Sequence, residues 1–405
     1  MHTKLDNGLV VVGERNEAAQ SMACGFFVKT GSRDETPEES GVSHFLEHMM
    51  FKGGRPGENI HQQFRSIGAW YNASTSSENT IFYGRVLPEF QLRFIAQLTN
   101  LLRPALRKED FETEKKVVLE EIAMCADSPK ATAIVKGLKA FANGHPSGNN
   151  VLGELESIEA LERDQMAAYY ERRYSPSNML FALTGAFDWG GAVQQVEEAT
   201  RGWPVFKVER EYPPHHCIHQ THIAQNDALS REHLRWYWRG PSCQDDKQRA
   251  AEVLSSVLGG AVGSRMYWNL VDSGLAKSAS MGAYAADQYG FYSARAECSP
   301  NRAGEVVHKV QDIFRDAAEN GVAHDEVDRS KQKIASSLVL RSETPMRRLT
   351  PLGIEWTYRK KYLDTDEAVN RLLSVTKEDV EALLAEDPFA KGTLVALGPL
   401  ETLEI

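Results

Sequence analysis

The sequence predicts an α+β protein made of a duplicated domain, each copy mixing strands with long helices. Three observations carry that expectation. The 405 residues suffice for about two domains of ordinary size. Strand-like segments in hairpin-like succession are interspersed with long helical stretches such as Pro88 to Leu102 and Arg302 to Asn320. The two halves of the chain also look alike.

The likeness can be followed in order along the chain. Gly25-Phe-Phe-Val-Lys-Thr-Gly-Ser-Arg33 leads into a helical segment around His44, and Leu234-Arg-Trp-Tyr-Trp-Arg-Gly-Pro-Ser242 leads into Gln248-Arg-Ala-Ala-Glu-Val-Leu-Ser-Ser-Val-Leu258 at the corresponding place. The stretch from Ala69 to Tyr83 is echoed by Met281-Gly-Ala-Tyr-Ala-Ala-Asp-Gln-Tyr-Gly-Phe-Tyr292, another alternating aromatic strand. Between the copies, Trp203-Pro-Val-Phe-Lys-Val-Glu-Arg-Glu-Tyr-Pro-Pro-His-His216 has the prolines and charges of a connection. The expected division is therefore a first domain over 1–205, a linker over 206–228 and a second domain over 229–405.

Composition narrows the class without choosing a function. With 42% hydrophobic and 25% charged residues the chain reads as an ordinary globular protein, and its apolar runs fall short of the roughly 18 residues that span a bilayer. Met1-His-Thr-Lys-Leu-Asp6 has neither the apolar core nor the cleavage site of a signal peptide, so the cytoplasm is the expected location, with a leader ahead of residue 1 left open. Five scattered cysteines, Cys24, Cys125, Cys217, Cys243 and Cys298, argue against a disulfide framework. A formal charge of −10 argues against nucleic acid as a partner.

The chemistry begins at His44-Phe45-Leu46-Glu47-His48. On a helix, the i and i+4 spacing stacks both imidazoles on one face, where they can grip a single metal ion with Glu47 beside them as a base. The order His-x-x-Glu-His is the inverzincin signature of metal-dependent peptide hydrolysis. Two core histidines satisfied by hydrogen bonds are the alternative, so a third protein ligand is needed as corroboration. Lys108-Glu-Asp-Phe-Glu-Thr-Glu-Lys-Lys-Val-Val-Leu-Glu-Glu-Ile122 has helical composition and places Glu114 and Glu121 about two turns apart on one face. One carboxylate could complete a two-His, one-Glu site and the other could brace an imidazole N–H. By itself such a helix is equally a solvated surface element, stabilised by opposite charges at short spacing.

Together, Gly41-Val-Ser-His-Phe-Leu-Glu-His-Met-Met-Phe-Lys-Gly53, Tyr71-Asn-Ala-Ser-Thr-Ser-Ser-Glu-Asn-Thr-Ile-Phe-Tyr83 and Glu112-Thr-Glu-Lys-Lys-Val-Val-Leu-Glu-Glu-Ile122 resemble the pitrilysin-like zinc peptidases, peptidase family M16, in order and spacing. Leu5-Asp-Asn-Gly-Leu-Val-Val-Val12 resembles that family's first strand, the size is nearest the two-domain subunits of the processing-peptidase type, and the resemblance implies two homologous domains, each an antiparallel sheet flanked by helices. The resemblance implies one zinc ion per chain held by His44, His48 and Glu121, with Glu47 as general base and Glu114 as an acidic catalytic group behind the ligands. It implies that Asn72 and Ala73 hold substrate backbone at a sheet edge and that Phe51 lies beside the scissile bond. Zinc so bound lowers the pKa of its water towards 7 and polarises a peptide carbonyl, and Glu47 then takes the water's proton. Without the family, Asn72-Ala-Ser-Thr75 reads as a polar turn before the strand Thr80-Ile-Phe-Tyr83.

The second copy lacks the metal residues, for its corresponding helix carries Leu254-Ser-Ser-Val-Leu258. It also departs from the family, whose members place an Arg and a Tyr seven residues apart to stabilise the oxyanion. Here Leu270 and Lys277 stand at those positions, and the nearby Arg265 belongs to a different Ser-Arg motif. The resemblance therefore implies a dimer, with a heterodimer favoured over a homodimer, in which a homologous subunit lacking the zinc motif supplies the missing pair around a closed chamber admitting unfolded or short peptides. The alternative is a non-catalytic scaffold or peptide-binding subunit of the same fold. The histidine-rich segment His215-His-Cys-Ile-His219 with His222 matches no standard zinc module and reads as a polar connection.

Overall fold

The computed structural model describes residues 1–54, 59–216 and 218–404. Cys217, one of the five cysteines and a member of the histidine-rich segment, lies outside the described residues. Cys24, Cys125 and Cys298 are free thiols. Among the described residues no helix is long and apolar enough to cross a membrane.

The chain forms two compact units. The first comprises Met1–Ala123, Asn149–Glu211 and Arg341–Leu363. Its sheet contains β1 (His2–Lys4), β2 (Val10–Arg15), β3 (Met22–Val28), β4 (Trp70–Thr75), β5 (Thr80–Val86) and β6 (Met179–Gly185), in the order β1-β2-β6-β3-β5-β4. The second unit comprises Met124–Gly148, Tyr212–Leu340 and Asp364–Ile405. Its sheet contains β7 (Gln220–Gln225), β8 (Glu232–Arg239), β9 (Ser278–Ala286), β10 (Tyr289–Cys298) and β11 (Gly392–Gly398), in the order β7-β11-β8-β10-β9.

Leaving β1 aside, the two strand orders are the same. The segments that repeat in the sequence fall on β3 and β8, on the hairpins β4–β5 and β9–β10, and on the helices Val42–Met50 and Gln248–Gly259. The fold is thus a duplicated domain, each copy a sheet flanked by helices. The sheets are mixed rather than purely antiparallel, because β2 pairs with β6 and β7 with β11 in parallel. In each unit the last strand is reached through several helices, which provide the length a parallel return requires.

The units also depart from a single linear division. Helix Pro129–Ala142 belongs to the second unit and helix Pro345–Arg359 to the first, so each half contributes a helix to the other half's sheet. The cause is visible in β3, all seven residues of which are buried. Met22, Cys24, Phe26 and Val28 join the main core with Phe45, Phe94 and Phe111, whereas Ala23 and Phe27 pack on the other face against Leu349, Leu352 and Trp356. A strand apolar on both faces needs two covering layers.

The covering helices approach their strands through glycine. A Cβ on Gly353 would lie 2.3 Å from the Phe27 ring, and one on Gly137 would lie 2.5 Å from the Tyr237 ring. Gly353→Ala removes glycine's helix penalty of about 1 kcal/mol but forces the helix away from a buried ring, an overpacking cost of about 1–3 kcal/mol. Urea unfolding should therefore show equal or lower stability for this variant, and a clear gain would refute the close-packing account.

Candidate metal centre and active site

The site is built from two helices and an edge strand of the first unit. Helix Val42–Met50 starts at Gly41, whose φ of +90° and close contact with the Leu152 carbonyl, 2.6 Å from where a Cβ would stand, leave room for no side chain. A glycine cannot cap a helix with its own side chain, and Glu35 does so from outside. Its carboxyl oxygens accept the N–H groups of Gly41 at 2.7 Å and Ser43 at 2.8 Å. Burial raises the Glu35 carboxyl to about 8 against the lowering effect of these bonds. The helix buries Phe45, Leu46 and Met49 in the core and turns His44, Glu47 and His48 to one common face.

The acidic helix Lys108–Ala126 presents a matching stripe. Phe111, Glu114 and Val118 are buried, and Glu121 follows on the same face. Phe111 stacks on Phe45 with ring centroids 4.7 Å apart, which brings the carboxylates to the imidazoles. Glu121 Oε2 lies 3.7 Å from His44 Nε2 and 3.5 Å from His48 Nε2. One donor atom from each of the three residues lies within 4.8 Å of the others, the one such group of three among the described residues.

Behind the donors, His48 Nδ1 is 3.2 Å from Glu114 Oε2, and Lys52 Nζ is 2.5 Å from Glu114 Oε1. In the tautomer that carries its proton on Nδ1, His48 would donate to Glu114 and turn the Nε2 lone pair to a ligand. Burial, helped by His48, lowers His44 to about 4, so its imidazole is neutral near pH 7, as metal ligation requires.

This donor set fits zinc. Two imidazole nitrogens and one carboxylate oxygen make up a catalytic zinc triad, and tetrahedral bonds of about 2.0–2.2 Å place ligand atoms roughly 3.3–3.6 Å apart, close to the two separations of Glu121 from the imidazoles. The structure assembles them before any ion is considered. The His215 segment offers no comparable grouping among the described residues: His215 packs against the rings of Phe141, His145 and Tyr289.

Glu47 sits on the same helix face, and its Oε2 accepts a hydrogen bond from Thr75 Oγ1 at 2.5 Å. Burial is the main influence on its carboxyl and raises it above the ordinary range. Thr75 ends β4, the outermost strand of the sheet, which also carries Asn72 and Ala73. Asn72 is exposed and pairs with Tyr83, and Ala73 is buried and pairs with Phe82. Phe51 caps the metal-motif helix and stacks on His61 at 5.8 Å, beside Tyr71 at 6.1 Å.

Comparison with known proteins decides the family. Residues 10–154 match the family Insulinase (Peptidase family M16), and residues 160–334 match the Peptidase M16 inactive domain. The chain belongs to peptidase family M16. A zinc protease of Mycobacterium leprae, itself uncharacterized, is 30% identical over 98% of this chain and 91% of its own length. The zinc protease YmxG of Bacillus subtilis, likewise uncharacterized, is 28% identical over 96% of each chain. Two solved structures share the fold at lower identity. A protease from Helicobacter pylori has a TM-score of 0.89 at 19% identity, covering 98% of this chain and 99% of its own. A peptidase M16 inactive domain from Pseudomonas fluorescens has a TM-score of 0.91 at 18% identity, covering 100% and 99%.

Sequence reasoning places His44, Glu47, His48, Glu114 and Glu121 at the heart of this M16 site, and the fold brings all five together. It misses Thr75, Lys52 and Glu35. Thr75 has a faint signal, since it shares the period-two face of Ala73 on β4. Glu35 has another, an acidic residue just ahead of a helix whose first residue is glycine. In the second unit, Leu270 is fully buried in the core, and Lys277 pairs with Glu297 at 2.9 Å. Arg265 is occupied by Glu326 and Asp316 at 2.8 and 3.0 Å.

Two outcomes follow from this geometry. Glu114→Gln should weaken zinc binding about 10–100-fold while His44→Ala or Glu121→Ala should remove stoichiometric zinc, as read by competition with a chromophoric chelator. In the metal-free protein, the native His44 pKa of about 4 lies below the ordinary 6.5, so the unfolded chain binds more protons between these values. Its contribution to stability is therefore complete above about pH 6.5 and lost as the pH falls towards 4. Glu35, raised to about 8, contributes with the opposite sign from about pH 4.5 upward, so the comparison must be made against His44→Asn, in which the acid-side loss should shrink.

Proposed function

We propose that this chain is a zinc-dependent endopeptidase subunit acting on unfolded or short peptides within a closed chamber, and that a homologous partner completes its site. The observation that supports it most is the convergence of His44, His48 and Glu121 beside a Glu47 that is hydrogen-bonded to the edge strand. His44, His48 and Glu121 would hold the metal. Zinc, when bound, supplies positive charge that polarises the scissile carbonyl and acidifies water.

The chain's own residues do the rest. Thr75 holds Glu47 Oε2, leaving the other carboxyl oxygen to accept a proton from the attacking water. The raised pKa of Glu47 brings it nearer the working pH, which suits a group that takes this proton and then delivers it to the leaving amine. Glu114 keeps His48 oriented. An extended peptide adds to β4 at Asn72 and Ala73, gaining main-chain hydrogen bonds that are indifferent to side-chain identity, while Phe51 and its aromatic neighbours offer an apolar wall.

A partner is proposed because Leu270 and Lys277 stand where oxyanion donors are expected. Leu270 has no polar group to offer, and losing one such donor typically costs 10²–10³ in turnover. A homologous subunit without the zinc motif but with the Arg/Tyr pair would restore them, which favours a heterodimer over a homodimer.

With stoichiometric zinc, the chain alone should hydrolyse an unstructured peptide mixture weakly, gain about two to three orders of magnitude with an Arg/Tyr-bearing homologue, and lose turnover in Glu47→Gln at equal zinc content. Full activity from a monomer in gel filtration would sink the shared site. Failure to bind zinc would leave the scaffold reading.

A further inference from the structure

A basic cavity lies in the second unit. Helix Pro129–Ala142 and strands β8, β9 and β10 line a cavity of about 380 Å³. Its walls carry three cations, Lys130, Arg235 and Arg295, with the hydroxyl groups of Ser280, Ser293 and Tyr237, and no carboxylate. In a chain of formal charge −10 that is an unusual concentration of one sign.

The strand register sharpens the point. Arg295 on β10 lies directly opposite Arg235 on β8 and opposite Ser280 on β9. Like charges facing each other across an antiparallel pair destabilise a sheet. Among the described residues no acidic group is ion-paired with Lys130, Arg235 or Arg295, and Arg295 Nε donates only to Ser280 Oγ, at 2.8 Å. The carboxylate two residues along β10, Glu297, is taken by Lys277 at 2.9 Å and Arg231 at 4.0 Å. A bound anion would offset the repulsion, and a pair of planar guanidinium forks suits a carboxylate.

We infer that this cavity is an anion subsite that takes a carboxylate of an extended peptide. The choice of ligand rests on the peptidase reading and on topology. β9, which supplies Ser280 to the cavity, is the edge strand of its sheet, in the place β4 holds in the first. A peptide added along β9 would run past the guanidinium pair, which would engage either its C-terminal carboxylate or an acidic side chain.

The test is direct binding, by fluorescence anisotropy, to the zinc-loaded full-length Glu47→Gln chain. Three labelled unstructured peptides serve as probes: one with a free C-terminal carboxylate, its uncharged C-terminal amide, and that amide with one internal Glu. A carboxylate-bearing probe should bind about ten-fold more tightly than the neutral amide, and Arg235→Gln or Arg295→Gln should erase the difference while Arg295→Lys keeps part of it. Preference for the first probe assigns the chain end, and preference for the third assigns a side chain. Because the arginines repel, the unfolding midpoint of Arg295→Gln should match or exceed that of the parent, which separates lost binding from lost fold. Equal affinity for all three probes, or a preference untouched by both substitutions, overturns the subsite. Loss of the peptidase reading would look different: the parent chain, zinc-loaded, would hydrolyse nothing while the arginine-dependent preference persisted.

Discussion

Stacking of Phe45 on Phe111 is the contact on which the rest of the site depends. Both rings are buried, and each lies on its helix beside the residues that carry the chemistry: Phe45 next to His44, and Phe111 one turn before Glu114. Burying an aromatic pair of this size contributes several kcal/mol, whereas polar groups brought to the same place cost free energy unless they are hydrogen-bonded. The apolar contact therefore sets the spacing of the two helices, and the polar groups converge because they are carried along. Preorganisation of this kind means a metal ion meets donors already in place, so less of its binding energy goes into ordering the chain.

Around that contact the fold holds the carboxyl groups of Glu35 and Asp34 in dry surroundings, each with its own partners. Glu35 fills the open N-terminus of the metal-motif helix, and Asp34, its neighbour, accepts from Arg173 at 2.8 Å and Arg210 at 2.7 Å. Removing one partner from such a buried pair is more damaging than the pair is stabilising, because the remaining charge is left unpaired. Arg210 lies in the proline-rich connection that follows helix Trp189–Thr200. A stretch that reads as a plain linker is in this way fastened to the loop that precedes the catalytic helix, and its arginine is part of the first unit's interior.

Duplication explains why the second unit looks like a site without being one. It repeats the strand order and the helix, yet that helix carries the buried Leu254 and Leu258 where the first copy's carries His44, Glu47 and His48. The second copy thus buries apolar side chains there and keeps its charges elsewhere. The paired Arg235 and Arg295 are the clearest instance, since nothing in the packing of a sheet asks for two guanidinium groups face to face.

Local pattern settled a good deal. The spacing of His44, Glu47 and His48, the two-turn separation of Glu114 and Glu121, and the aromatic alternation of the repeated hairpins are all properties of neighbouring residues on one helix or strand, where 3.6 and 2 residues per repeat dictate the face. They were enough for the fold class, the duplication and the grouping of His44, His48 and Glu121. The exchange of helices Pro129–Ala142 and Pro345–Arg359, the parallel pairs within each sheet, the hold of Thr75 on Glu47 and the cap that Glu35 provides were decided only in three dimensions. Each joins residues whose meeting depends on how sheets find cover for both faces and how helices stack, and no periodicity within one segment encodes which distant segment will fill that space.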